Sequence, residues 1–241
     1  MATTVGIFSE SGQGKTTSVV INPDGKCIYL PDEHPMKADV YEGMDPTSTI
    51  LVVSDRKELP FPSDSKWVIN KNVFWVSDVE QIKTLLTKVN SIETIKAIYI
   101  DTLNGIMLDK EMNDIKKKTF DKWTDLAQQI YELISFCNSD LRRDLVVYMS
   151  GHVTVYTDID GNESKALITN GRKLEKIRLE TKFPIVLFCS VNRGTGGNHD
   201  YSFETQANRS TGKSPIGMFK TFSIPNSLKL VDNAIRTYYG I

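Results

Sequence analysis

Nine residues near the start of the chain, Ser9-Glu-Ser-Gly-Gln-Gly-Lys-Thr-Thr17, have the composition of a loop that holds phosphate. Gly12 and Gly14 let the backbone curl until successive N–H groups point at one anion. Lys15 supplies a cation for the β- and γ-phosphates, and the Thr16 hydroxyl supplies an oxygen ligand for magnesium. The expected nucleotide contacts are therefore Ser11, Gly12, Gln13, Gly14, Lys15, Thr16 and Thr17. Ser9 stands where such a motif has its leading glycine, which leaves the Gly12–Thr16 nest intact but alters the entry to it. A second match, Thr211-Gly-Lys-Ser214, has no buried strand before it and runs into Pro215, so it is not read as a phosphate loop.

A phosphate loop needs an acid for its metal. The apolar run Ile95-Lys-Ala-Ile-Tyr-Ile ends in Asp101, placed to hold magnesium through a water. Another run, Leu145–Met149, leads into Ser150-Gly-His152, where His152 either senses the γ-phosphate or is an ordinary hydrogen-bonded loop histidine. Lys15, Asp101 and His152 form the expected catalytic set, with Thr16 and Asp101 at the metal. The group that activates water stays open among Glu33, Glu10 and Asp55.

These residues need a frame. Short β-branched runs at Thr4–Phe8, Cys27–Leu30, Thr49–Val53, Val73–Val76, Ile95–Ile100, Leu145–Met149 and Ile185–Val191 read as strands. Helical spacing appears at Val79–Val89 behind Ser77 or Asp78, at Leu103–Lys118, at Trp123–Cys137, at Arg172–Lys182, and after an Asn226 cap. A helix is also expected to start near Lys15 and to lend its dipole to the phosphate site. The alternation predicts one α/β P-loop domain over residues 1–241, a mainly parallel sheet covered by helices. A hairpin at 153–169 around Asp160-Gly161 and a strand at Tyr201–Thr205 predict an antiparallel C-terminal edge. The Pro-, Asp- and Glu-rich segment 31–62 reads as surface loop around the 49–53 strand.

The net charge is −1, yet residues 161–241 carry 12 Lys and Arg against 6 Asp and Glu, while the first 160 carry 17 against 24. A whole-protein basic footprint is excluded, but the C-terminal third has a local one, with Lys165, Arg172, Lys173 and Arg193 as candidate DNA contacts. The 3 cysteines, Cys27, Cys137 and Cys189, form no CxxC pair and argue for free thiols in a reducing compartment. No apolar run is long enough for a membrane helix and the N-terminus does not read as a signal peptide, so a cytoplasmic protein without membrane contact is expected.

Further blocks join the phosphate loop and Asp101-Thr102: Thr49-Ile-Leu-Val-Val with Lys57-Glu-Leu-Pro-Phe61, Arg143-Asp-Leu-Val-Val-Tyr-Met-Ser-Gly-His152, and Phe203-Glu-Thr-Gln with Gly212-Lys-Ser-Pro-Ile-Gly-Met-Phe219. Together they resemble the ATP-binding proteins of tailed bacteriophages in the RecA-like, core-only group that includes the Sak-type annealing proteins. The resemblance implies ATP and Mg2+ as cofactors, with Lys15, Thr16 and Asp101 binding them and His152 as sensor. It also implies ATP-dependent work on single-stranded DNA and head-to-tail homo-oligomers, in which Arg209 or Lys213 would reach a neighbour's γ-phosphate. Two other readings stand beside it: a nucleotide-gated binding module with negligible turnover, and a small-molecule phosphotransferase. The second lacks an arginine-rich lid beyond Arg142-Arg143.

Overall fold

The computed structural model describes residues 1–116, 121–157, 160–161, 163–169, 178–193 and 199–241. In chain order the strands are β1 (Thr3–Phe8), β2 (Thr49–Val53), β3 (Val73–Trp75), β4 (Ala97–Asp101), β5 (Val146–Gly151), β6 (Val153–Thr157), β7 (Glu163–Leu167), β8 (Ile185–Arg193), β9 (His199–Glu204) and β10 (Ser223–Pro225). Eight of them form one sheet in the order β10-β9-β8-β1-β5-β4-β2-β3. From β8 to β3 every pairing is parallel, and β9 and β10 add the antiparallel edge. This is the α/β class that the strand–helix alternation predicts. The central strands read as continuous apolar runs because both faces are covered.

Helices α1 (Val79–Asn90), α2 (Leu103–Asn113) and α3 (Asp121–Ser139) pack on one face through Ile82, Leu86, Ile106, Ile130 and Leu133. The other face is covered by α4 (Leu228–Tyr239), through Leu228, Val231 and Ile235, and by irregular chain carrying Val19, Val20, Met44, Phe61 and Trp67. Of the two expected caps, Ser77 and Asp78, it is Asp78 that caps α1, accepting from the Gln81 N–H. Thr102, directly after Asp101, caps α2 by accepting from the Gly105 N–H at 3.0 Å. The last helix is capped by Ser227, not Asn226.

Other departures have local causes. No α-helix follows the phosphate loop; a single 3-10 turn, Thr17–Val19, takes its place. In a helix the Val19 carbonyl would accept from residue 23, but Pro23 has no N–H, and Val19-Val20-Ile21 are poor helix formers. The carbonyl accepts instead from the Met44 N–H at 2.8 Å. Cys27–Leu30 is not a strand; it contributes one isolated bridge, Cys27 to Lys37. The hairpin forms, but β6 and β7 make a separate two-stranded sheet rather than extending the main one. Of the helix expected over Arg172–Lys182, residues 172–177 lie outside the described residues and Leu179–Lys182 is one 3-10 turn. Among the described residues no helix is long and apolar enough to cross a membrane.

Candidate nucleotide site

Topology brings the predicted residues together. β5 lies between β1, which feeds the phosphate loop, and β4, which ends in Asp101, so all three strand ends meet at one edge of the sheet. Gly12 and Gly14 take φ values of 77° and 85°, the left-handed region that glycine enters without strain. The Lys15 ammonium turns into the loop, donating to the Ser9 carbonyl at 2.9 Å, the Glu10 carbonyl at 2.7 Å and the Ser9 hydroxyl at 3.2 Å. Ser9, in place of a leading glycine, thus supplies a side-chain partner for the loop's lysine. Burial pushes the Lys15 pKa below its ordinary value, while Cys189, Asp101 and Asp55 pull it back.

Asp101 is 2% exposed and is held from two sides. The Thr16 hydroxyl donates to one carboxylate oxygen at 2.7 Å and the Ser150 hydroxyl to the other at 2.6 Å. The facing Thr16 and Asp101 oxygens are hard donors of the kind magnesium takes, so this pair fits that ion. Among the described residues no three His, Cys, Asp or Glu side chains converge as a cage, so phosphate oxygens would complete the coordination. His152 Nδ1 lies 3.5 Å from the Lys15 ammonium, and its backbone N–H donates to Asn104 Oδ1 at 2.7 Å. Burial and then the Lys15 charge push the His152 pKa below the ordinary histidine value.

A cleft of about 720 Å³ opens over these groups. Every expected loop contact lines it except Gln13. One end is polar, with Lys15, Thr16, Asp101, His152 and a residue the sequence reading did not single out, Lys57. The other end is apolar, lined by Cys27, Leu30, Met36 and the rings of Tyr29 and Phe61, which stack at 6.1 Å and 17°. The segment taken for surface loop is therefore a wall of the site. It is fixed from behind by Tyr29 donating to Asp64 at 2.8 Å and by Trp67 donating to the Tyr41 hydroxyl at 3.2 Å. Across the loop, Tyr201 and Asn226 press on Gly14, where a Cβ would meet them at 3.0 and 3.2 Å. The Asn226 amide is buried and has no hydrogen-bond partner among the described residues.

The fold is similar to that of a KaiC-like protein. That protein comes from the hyperthermophilic archaeon Pyrococcus horikoshii; the likeness has a TM-score of 0.39 at 14% identity, covering 83% of this chain and 76% of the other. No protein-family model matches the chain, and no curated protein matches it.

The remaining candidates divide. Asp55, two residues beyond β2, pairs with Lys57 at 2.6 Å, and Glu33 is exposed; neither acid lines the cleft. Glu10 contributes its carbonyl, which accepts from Lys15 and from the Ser9 hydroxyl. Lys165 of β7 and Arg209 are brought together where the β6–β7 hairpin meets the segment after β9, the Lys165 N–H donating to the Arg209 carbonyl at 2.7 Å; both are exposed. Lys213 is held away from the cleft, its backbone exchanging hydrogen bonds with Val186 at 2.8 and 2.9 Å. Thr211-Gly-Lys-Ser214 is thus a sheet-edge segment, and burial lowers the Lys213 pKa with Glu180 opposing. Arg172, Lys173 and the Arg193 side chain lie outside the described residues.

Proposed function

We propose that the chain binds a nucleoside triphosphate with magnesium and hydrolyses it in the manner of a RecA-like ATPase. The observation that carries this reading is the Lys15–Thr16–Asp101–Ser150 constellation at the strand ends, behind a glycine nest with two left-handed residues. In this reading the N–H groups of Gly12–Thr16 bind the phosphates and Lys15 exchanges carbonyl partners for phosphate oxygens. Thr16 and Asp101 would hold magnesium, which when bound neutralises charge on the transferring phosphoryl group. His152 stands beside Lys15, where the terminal phosphate would be sensed. The stacked Tyr29 and Phe61 offer the nucleoside an apolar end.

The phage-type resemblance extends the proposal to single-stranded DNA and to head-to-tail assembly. The exposed Lys165 and Arg209 support a polyanion or a neighbouring copy at that junction. The test is binding of labelled ATP by the wild type and Lys15→Ala, followed by phosphate release with and without single-stranded DNA across a salt series. Magnesium-dependent release that needs Lys15, with DNA affinity falling steeply as salt rises, is the expected result. Failure of the wild-type protein to bind nucleotide would sink the reading. Binding with no release would leave a nucleotide-gated module.

A further inference from the structure

The loop after β2 is held with unusual care for a loop. The Thr102 N–H donates to the Ser54 hydroxyl at 2.8 Å, and that hydroxyl donates to the Thr102 carbonyl at 2.7 Å. The Ser54 N–H donates in turn to the Asp101 carbonyl at 2.7 Å. Asp55 comes next, its carboxylate filling the space that Gly105 leaves by having no Cβ. Arg56 reverses the chain at φ 50°, which brings Lys57 back onto Asp55 at 2.6 Å. The end of β2 is thus tied to the metal-binding end of β4, and it presents an acid and a base as a pair.

Lys57 of that pair faces the phosphate site. Lys57 lines the same cleft as Lys15, Asp101 and His152, and its side chain is 54% exposed, so it is free to swing. Its charge reaches Lys15 and His152, lowering the pKa of each. Two ammonium groups in one cleft repel, and each needs an anion. Burial works against the charge on Lys57, but the hydrogen bond and the charge of Asp55 prevail and hold its pKa above the ordinary value. A lysine on a flexible stem, with three rotatable donors, can leave a single carboxylate for a more highly charged phosphate.

We propose that Lys57 is a second phosphate-binding cation supplied by the chain itself. A bound triphosphate takes it from Asp55, and release of the nucleotide returns it. The inference rests on the nucleotide reading above.

The test compares affinity for a non-hydrolysable triphosphate analogue and for the diphosphate in the wild type, Lys57→Ala and Lys57→Arg. Lys57→Ala should weaken the triphosphate about tenfold and the diphosphate less than about twofold, and Lys57→Arg should recover most of the loss. Asp55→Asn, which frees Lys57 in advance, should keep or raise triphosphate affinity. Equal losses for the two nucleotides, or none, would overturn the assignment of Lys57. A marked loss of triphosphate affinity in Asp55→Asn would overturn the exchange of partners. If the wild type binds neither nucleotide, the nucleotide reading itself falls, and this inference with it.

Discussion

Replacing Asp101 with Asn separates the charge of this residue from its shape. The native carboxylate accepts from Thr16 at 2.7 Å and from Ser150 at 2.6 Å, and it is buried. Asn keeps one oxygen for one hydroxyl and turns an N–H toward the other, which can rotate to accept. Stability should therefore fall by only about 1 kcal/mol, the net worth of one hydrogen bond. Turnover should respond far more. A catalytic divalent ion contributes several kcal/mol to phosphoryl transfer, and an amide cannot hold it as a carboxylate does. Losing about 3 kcal/mol of that contribution slows the reaction roughly 10²-fold. The assay is phosphate release over a magnesium titration, paired with a urea unfolding curve for each protein. Asp101→Asn turning over within about twofold of the wild type at saturating magnesium, with a native unfolding midpoint, would refute the role given to this acid.

Lys15→Ala should lower ATP affinity or turnover by about tenfold or more, and Lys213→Ala, tied to β8 far from the cleft, should leave nucleotide affinity nearly intact; equilibrium binding of a fluorescent nucleotide measures both. Phe61→Ala should weaken ATP but not inorganic tripolyphosphate, because only ATP carries a base to meet the Tyr29–Phe61 end; competition binding tells them apart. The His152 pKa is lowered in the folded protein, so as pH falls through about 6.5 the unfolded chain takes up a proton that the folded state resists. Wild-type stability should then decline relative to His152→Gln between pH 7 and the folded pKa, with Lys15 and Lys57 opposing protonation and Asp55 and Asp101 favouring it. Urea midpoints over that range decide it.

The phosphate loop and Asp101 were legible in the sequence because each combines a local motif with an adjoining apolar strand. Ser150 was visible only as the residue before Gly151, since its bond to Asp101 depends on the β4–β5 register. Lys57 and Asp55 escaped a joint reading because a two-residue salt bridge through a left-handed arginine has no periodicity. Segment 31–62 looked like surface loop for the same reason: its order comes from Asp64, Trp67 and Tyr41 meeting through space, not from repeated spacing. The missing helix after Thr17 was signalled by Pro23 and the β-branched run before it. The motif's usual context outweighed that signal. Asn226 was expected to cap α4 on composition alone, and Ser227, one residue on, takes that place.

The bond from the Met44 N–H to the Val19 carbonyl has a consequence for how the protein acquires its site. A phosphate loop followed by a long helix is ordered by neighbours only a few residues away, on the timescale of helix growth. Here the exit of the loop is fixed by chain about 25 residues later, and Gly43 packs on the backbone of Val19 and Val20, where a Cβ would meet the Val19 carbonyl at 2.8 Å. The nest's exit is therefore ordered only when that loop closes, so nucleotide binding depends on a tertiary contact as well as on the motif. A side chain placed at position 43, which is itself no phosphate contact, would therefore disable the site by unfastening its exit.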